Sequence, residues 1–387
     1  MTRKLTLDYG LRWDLQTALT ELHDRIAAFA PQVRNPSAGN LPGGMAYAGE
    51  GPGRIGGQFT KTYPWAFGPR FGVAYPIAPN TVLRGGSGIT YSQTAGYNWI
   101  SNTPIVGVGW NNLLFNAQSF GEPAVTLRNG LQYDPNQLNA VSLDPGIIPV
   151  PGQIQAPPYW LDPNGGRPAR IVQWSVMLQH QFGSNLSVEA GYVGNRSVWA
   201  QAAGLNDLNA LTPERIRAAG LDINSAADRS LLTSRLDSGL AVSRGFSNGP
   251  YAGFPRSTTV AQSLRPYPQS PNIPIRWSPL GSSWYDSLQA KVTKRYSHGL
   301  ELTSAFTWQK ELAIGEAAVN DVFNRENQKT ISPNSLPFIL ATAVNYQLPQ
   351  VGASRWMRAV TGDWVGRADS PLSERLAYPG SRRAECA

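Results

Sequence analysis

Few residues in this chain are spaced for chemistry. His23, His180 and His298 are the natural candidates for metal ligation or proton transfer, but they fall in a loop, a strand-like run and a turn, far apart in sequence. Nothing stands at metal-ligand spacing from them, so they are expected as solvated or locally bonded groups. Gly85-Gly86-Ser87-Gly88 has the composition of a phosphate loop yet lacks the Lys-Ser/Thr pair and the helix that must follow. Glycines inside a strand-like run instead mark a bend or a close backbone approach. No GxSxG elbow occurs, and Asp222 and Asp228 are too isolated for a calcium loop. Asn185-Leu186-Ser187 and Asn195-Arg196-Ser197 spell glycosylation acceptors, but a tight turn explains the first and a loop entry the second. The single cysteine, Cys386, excludes a disulfide framework and a thiolate metal site. The sequence therefore predicts no enzyme: no catalytic, cofactor-binding or metal residue is assigned, no cofactor is expected, and ligand-binding residues stay open. Arg84, Lys291 and Arg295 lie on polar faces, where they either line an aqueous lumen or stand on a solvated strand surface.

The elements that carry these residues are more informative. Short segments alternate apolar and polar side chains with period two. Leu5, Leu7, Tyr9, Leu11, Trp13 and Leu15 share one parity; Lys4, Thr6, Asp8, Gly10, Arg12 and Asp14 share the other. In a strand, successive side chains point to opposite faces, so this segment has one apolar and one polar wall. Seven more segments repeat the pattern at 66–75, 81–91, 169–182, 185–194, 283–296, 299–309 and 338–348. The connections alternate too: 76–80, 183–184 and 297–298 are tight and rich in turn residues, whereas 17–65, 92–168, 195–282 and 310–337 are long. Loops of that length are rare inside compact soluble domains. Short turns at one end and long loops at the other are the pattern of an outer-membrane β-barrel. Tyr9, Trp13, Tyr91, Tyr192, Trp284, Tyr285, Trp308 and Tyr346 cluster near strand ends, where interfacial girdles place aromatic rings.

Composition agrees. Charged residues are 15% of the 387, below the roughly 25% of soluble globular chains. No apolar run reaches the length of a transmembrane helix, which does not bear on a barrel. The net charge of +8 is scattered rather than blocked, so nucleic acid is not the expected partner. Within the loop 195–282, Thr212, Pro213 and Gly220 mark a short helix by cap, first position and stop. The chain enters a strand at once, with no signal peptide; an exported protein needs one, so a lost front segment is expected. After Val365 alternation ceases. Residues 1–365 are thus expected as a partial barrel and 366–387 as a non-barrel tail, out of frame or disordered.

Several stretches resemble one family. Residues 173–196 (QWSVMLQHQFGSNLSVEAGYVGNR) look like the hairpin of the Oar-like TonB-dependent receptors, whose subfamily carries a carboxypeptidase-regulatory-like domain. Residues 283–300 resemble another strand–turn unit of that family, 259–269 (TVAQSLRPYPQ) the loop before it, and 5–14, 67–75 and 81–91 its earlier strands. The resemblance implies an outer-membrane barrel of about 22 strands with a plugged lumen. It also implies ligand binding at outer loops and import driven by an inner-membrane complex. The chain departs from the pattern in lacking the plug, the motif that contacts the energising protein, the regulatory-like domain and the remaining strands.

The fold expectation is an all-β, antiparallel transmembrane barrel fragment of about 8–9 strands with long extracellular loops. Its expected location is the cell outer membrane. The leading functional expectation is a fragment of a TonB-dependent receptor-transporter, with outer-membrane lipid, the missing barrel and plug, and an unknown loop ligand as partners. A structural or adhesive outer-membrane protein is the second reading. A soluble secreted carbohydrate-binding β-protein, its apolar faces paired in a sandwich, is the third. Cutting strands from a larger barrel leaves two unpaired edges, so an open, curved sheet is predicted.

Overall fold

The computed structural model describes residues 4–18, 20, 22, 24, 26–93, 123–130, 143–146, 153–154, 156–315, 321–348 and 364–374. Its strands are β1 (Thr6–Asp14), β2 (Ala27–Asn35), β3 (Leu41–Tyr47), β4 (Ala66–Ala78), β5 (Thr81–Tyr91), β6 (Trp160–Leu161), β7 (Arg170–Phe182) and β8 (Leu186–Ala200). Then follow β9 (Ile275–Arg276), β10 (Gly281–Ser297), β11 (Leu300–Ile314), β12 (Thr330–Ile331), β13 (Phe338–Gln347) and β14 (Val365–Glu374). Ten of them form one sheet in the order β1-β4-β5-β7-β8-β10-β11-β13-β14, with β12 beside β11. Every pairing in it is antiparallel, as up-and-down connections require. The eight segments read from alternation are eight of these strands. The sheet is open: β1 and β14 end it and do not pair with each other.

Register fixes the two walls. Leu7 faces Val73, and the row continues through Gly85, Val176, Tyr192, Leu288, Trp308 and Phe338. One residue along, the row is Asp8, Gly72, Gly86, Ser175, Val193, Ser287 and Gln309. Directly opposed residues point to the same side, so the first row lies on one wall and the second on the other. The apolar wall is uncovered: Tyr9 is 77% exposed, Leu11 70% and Trp308 55%. No second sheet packs on it among the described residues.

The turns explain the short connections. Ser297 pairs with Leu300, leaving His298 (φ 54°) and Gly299 (φ 79°) as a two-residue loop with both central φ positive. That matches the right-handed twist of the flanking strands. Ala78 pairs with Thr81 across Pro79 and Asn80, and Gly183 (φ 60°) opens the turn between β7 and β8.

The opposite end carries the only clusters of buried apolar side chains among the described residues. In the lobe between β8 and β9, helices Pro213–Ala218, Ala226–Thr233, Gly239–Ser243 and Val260–Ser263 enclose Leu231, Leu236, Ala241 and Val260, all fully buried. Their N-caps are Thr212, Ser225, Ser238 and Thr259, whose side chains each accept a backbone N–H of the first turn. The first helix is the one marked by Thr212 and Pro213. A hairpin of β2 and β3, and the parallel pair β6 and β9, complete this end.

At the C-terminal side, the backbone of Val365–Glu374 pairs with Phe338–Gln347 although its side chains do not alternate. Ladder hydrogen bonds come from the main chain, so pairing extends past the boundary at 365 drawn from side-chain pattern. Residues 375–387, with Cys386, lie outside the described residues.

Candidate functional site

The polar wall and the folded loops meet at one end of the sheet, and they form the candidate site. On the wall, glycines let a long cation lie flat. A Cβ at Gly10 would stand 2.7 Å from Arg70 Nε, and one at Gly88 3.6 Å from Arg70 Cβ. The guanidinium thus lies over backbone rather than over side chains. A shallow recess of about 280 Å³ opens here, lined by Arg70, Gln173, Ser175 and Val193 over Gly86 and Gly88. Further along, Glu189 is directly opposite Lys291, and Asn345 Nδ2 donates to Glu301 Oε2 at 3.0 Å. The wall therefore offers hydrogen-bond donors and both signs of charge, suited to a hydrated polar ligand and not to lipid.

The loop lobe is tied down by buried polar groups. Asn209, fully buried, donates through Nδ2 to Ser270 O at 2.6 Å and Tyr267 O at 3.1 Å, and accepts from Tyr267 N at 2.9 Å. Gln269 Nε2 donates to Pro42 O at 2.8 Å, joining the lobe to the β2–β3 hairpin. The Asn209 amide is satisfied on both its nitrogen and its oxygen, which fixes the loop geometry, whereas Gln269 Oε1 is buried with no hydrogen-bond partner among the described residues. Ser278 Oγ donates to Asp162 Oδ2 at 2.9 Å, fastening the β6 segment to the β9 segment.

Electrostatics in the lobe are local. The Asp222 backbone N–H and then Arg244, at 2.8 Å, hold the Asp228 carboxyl below the usual carboxylate range. Arg235 does the same for Asp237 across 2.6 Å. Burial pushes the Tyr251 and Tyr267 phenols up, and burial followed by the Asp144 charge pushes Tyr47 up. These are tyrosines and carboxylates in structural roles.

The residues singled out from sequence scatter. His180 Nδ1 meets Thr81 Oγ1 at 2.7 Å near a tight turn, and His298 sits in another turn; His23 lies outside the described residues. Gly85 to Gly88 run through the middle of β5. Arg84 faces the polar wall between Ala74 and Met177, and Lys291 shares that wall. Arg295 lies at the turn end, its N–H bonded to Asn185 O. Asn185 is in a turn and Asn195 inside β8. Sequence reasoning missed Arg70, Asn209 and Gln269. Arg70 had a signal, a cation on the polar parity opposite glycines, but Asn209 and Gln269 depend on loop packing that spacing does not encode.

Residues 1–367 match the family described as outer membrane beta barrel domain. No curated protein matches the chain. Among solved structures, it is similar to the alcaligin outer membrane receptor FauA of Bordetella pertussis, at 11% identity and TM-score 0.32, covering 91% of this chain and 33% of that one. It is also similar to the ferric-catecholate import receptor Fiu of E. coli, at 10% identity and TM-score 0.33, covering 90% and 30%. A mutant of the ferric enterobactin receptor PfeA of Pseudomonas aeruginosa gives 10% identity and TM-score 0.29, covering 81% and 32%. The chain thus spans about a third of the length of these structures.

Proposed function

The chain belongs to the outer membrane beta barrel domain family, and from that premise we propose that it is part of a TonB-dependent receptor-transporter of the Oar-like kind. Its place is the outer membrane. In this reading the long loops hold the ligand, and a plug, an energy-coupling segment and further strands belong to sequence outside these 387 residues. The observation that supports the reading is the asymmetry of the sheet ends. One end closes in two- and three-residue turns, while the other carries a lobe with its own buried core, held together by Asn209 and tied to the β2–β3 hairpin by Gln269. A merely structural barrel has no need of a rigid lobe at that place.

The test is growth of the source cells with and without the gene on a panel of scarce nutrients, repeated with the inner-membrane energising protein deleted. The receptor reading expects a defect specific to one nutrient class that the second deletion reproduces. A loss of surface attachment with no nutrient-dependent defect would support the adhesive alternative instead.

A further inference from the structure

We propose that the apolar wall carries a seat for a phosphorylated lipid of the outer leaflet, its acyl chain in a groove on β10 and β11 and its phosphate on Arg196 and Lys329. The inference needs the lipid-facing orientation of that wall and does not rest on the receptor reading.

A sheet wall facing lipid only as solvent would be evenly studded with side chains. This one has a groove of about 550 Å³ whose floor includes Tyr192, Leu288, Trp308 and Phe338, four residues that are successive cross-strand partners on the apolar wall. Its rim is built by the segment after β12. Ile331 pairs with Leu312, and Pro337 O accepts from Gln309 N at 2.9 Å, so the chain between them runs along the edge of β11 and stands beside the floor. Most of the surface exposed in the groove is apolar, which suits a hydrocarbon chain, although Asp286, Lys310 and Ser335 also line it.

Cations stand at the loop-side end of this groove. Trp284, two residues beyond Asp286 on the same wall, faces Arg196 directly across the ladder. Arg196 Cζ lies 5.1 Å from its ring centre and Lys329 Nζ 4.0 Å. Lys329 is two residues from Ile331 in the groove rim. Stacking on the ring holds both cations in place while leaving N–H groups free to donate. Neither is paired with a carboxylate among the described residues. The carboxylate in the groove lining, Asp286, accepts from the Tyr192 hydroxyl and stands opposite Lys310. Arg167 and Arg170 continue the band of charge, each 4.5 Å from the Trp199 ring. Cations over aromatic rings, directly above an apolar groove on the lipid side, match a phosphate above an acyl chain. Charge-assisted bonds to phosphate strengthen where water is scarce.

The experiment uses the full chain in neutral detergent, with bound lipid counted by native mass spectrometry. The probes are a bisphosphorylated, acylated diglucosamine, the same glycolipid with both phosphates removed, and inorganic phosphate. One phosphorylated glycolipid per chain is expected, held about tenfold tighter than the dephosphorylated form and resistant to inorganic phosphate competing at equal concentration. Arg196→Gln with Lys329→Gln should weaken it about tenfold, whereas Lys291→Gln on the polar wall should not. Strand content is followed by circular dichroism. If the double variant loses it, Leu288→Trp, which fills the groove floor without touching either cation, must weaken binding by a similar factor. Equal binding of the dephosphorylated lipid, full displacement by inorganic phosphate, or an undiminished affinity in the variants would overturn the proposal.

Discussion

Leu288 and Gln289 are neighbours in the chain and meet different solvents. Leu288 lies across from Tyr192 and Trp308, on the wall where large apolar side chains are exposed; Gln289 lies across from Gly191 and Thr307, on the polar wall. One step along β10 crosses from lipid to water, because side chains alternate across a strand. A charge at the two positions must therefore have unequal consequences. Leu288→Arg is expected to lower membrane assembly by about 2–4 kcal/mol if the site is near the bilayer midplane. Gln289→Arg should leave it almost unchanged. Recovery of each variant in urea-washed outer membranes measures the difference.

Two glycines give a second contrast. A Cβ at Gly191 would stand 2.1 Å from Val176 O and 2.7 Å from Met177 Cα, which are ladder backbone. At Gly10 it would meet only the far end of Arg70, whose side chain can turn away. Gly191→Ala is expected to destabilise the β7–β8 pairing by about 1–3 kcal/mol, and Gly10→Ala by much less. Urea titration of the two variants in detergent, read by circular dichroism, tests the order.

The lobe should unfold separately from the sheet. Leu231 is fully buried among Leu236, Ala241 and Val260, all within the segment between β8 and β9. Leu231→Ala removes buried methyl groups and leaves a cavity, at a cost of about 2–5 kcal/mol. Protease should then cut within 211–264 while the strands stay protected, a pattern that peptide mapping would reveal.

How far the sequence could be read follows from where its pattern has a physical cause. Alternation arises because one wall touches hydrocarbon, so β1, β4, β5, β7, β8, β10, β11 and β13 were legible. The β2–β3 hairpin was not: Ala27 to Ala30 and Gly44 to Tyr47 are buried on successive positions, so parity carries no signal. β6 and β9 are two-residue pieces set by loop packing, and β14 pairs through its backbone alone. Of the helix caps, Thr212 stood out because Pro213 follows it. Ser225, with Asp228 three residues on, had a comparable signal that went unread. The groove beside Trp308 depends on contact between distant segments, and no local pattern announces it.

Acid should loosen the lobe. The Asp222 N–H and Arg244 hold the Asp228 carboxyl low, and Arg235 holds Asp237 low. A folded-state value depressed below the unfolded one, about 3.9 for Asp, contributes stability that is complete above the unfolded value. That contribution disappears as pH falls through the folded value. Hydrogen exchange of the 222–244 amides, corrected for intrinsic rates, should therefore be slowest near neutrality and accelerate on acidification. Asp228→Asn should exchange faster than the parent at pH 7 and converge with it at the acid end.

The most direct test of the central claim is the solvent met by each side chain along one strand. Spin labels placed singly at 287 to 293 on β10, in the chain inserted into membranes, report collisions with oxygen, which concentrates in lipid, and with a water-soluble nickel chelate. The two walls require oxygen maxima at 288, 290 and 292 and nickel maxima at 287, 289, 291 and 293. Equal accessibility at both parities, or nickel maxima at the even positions, would contradict them.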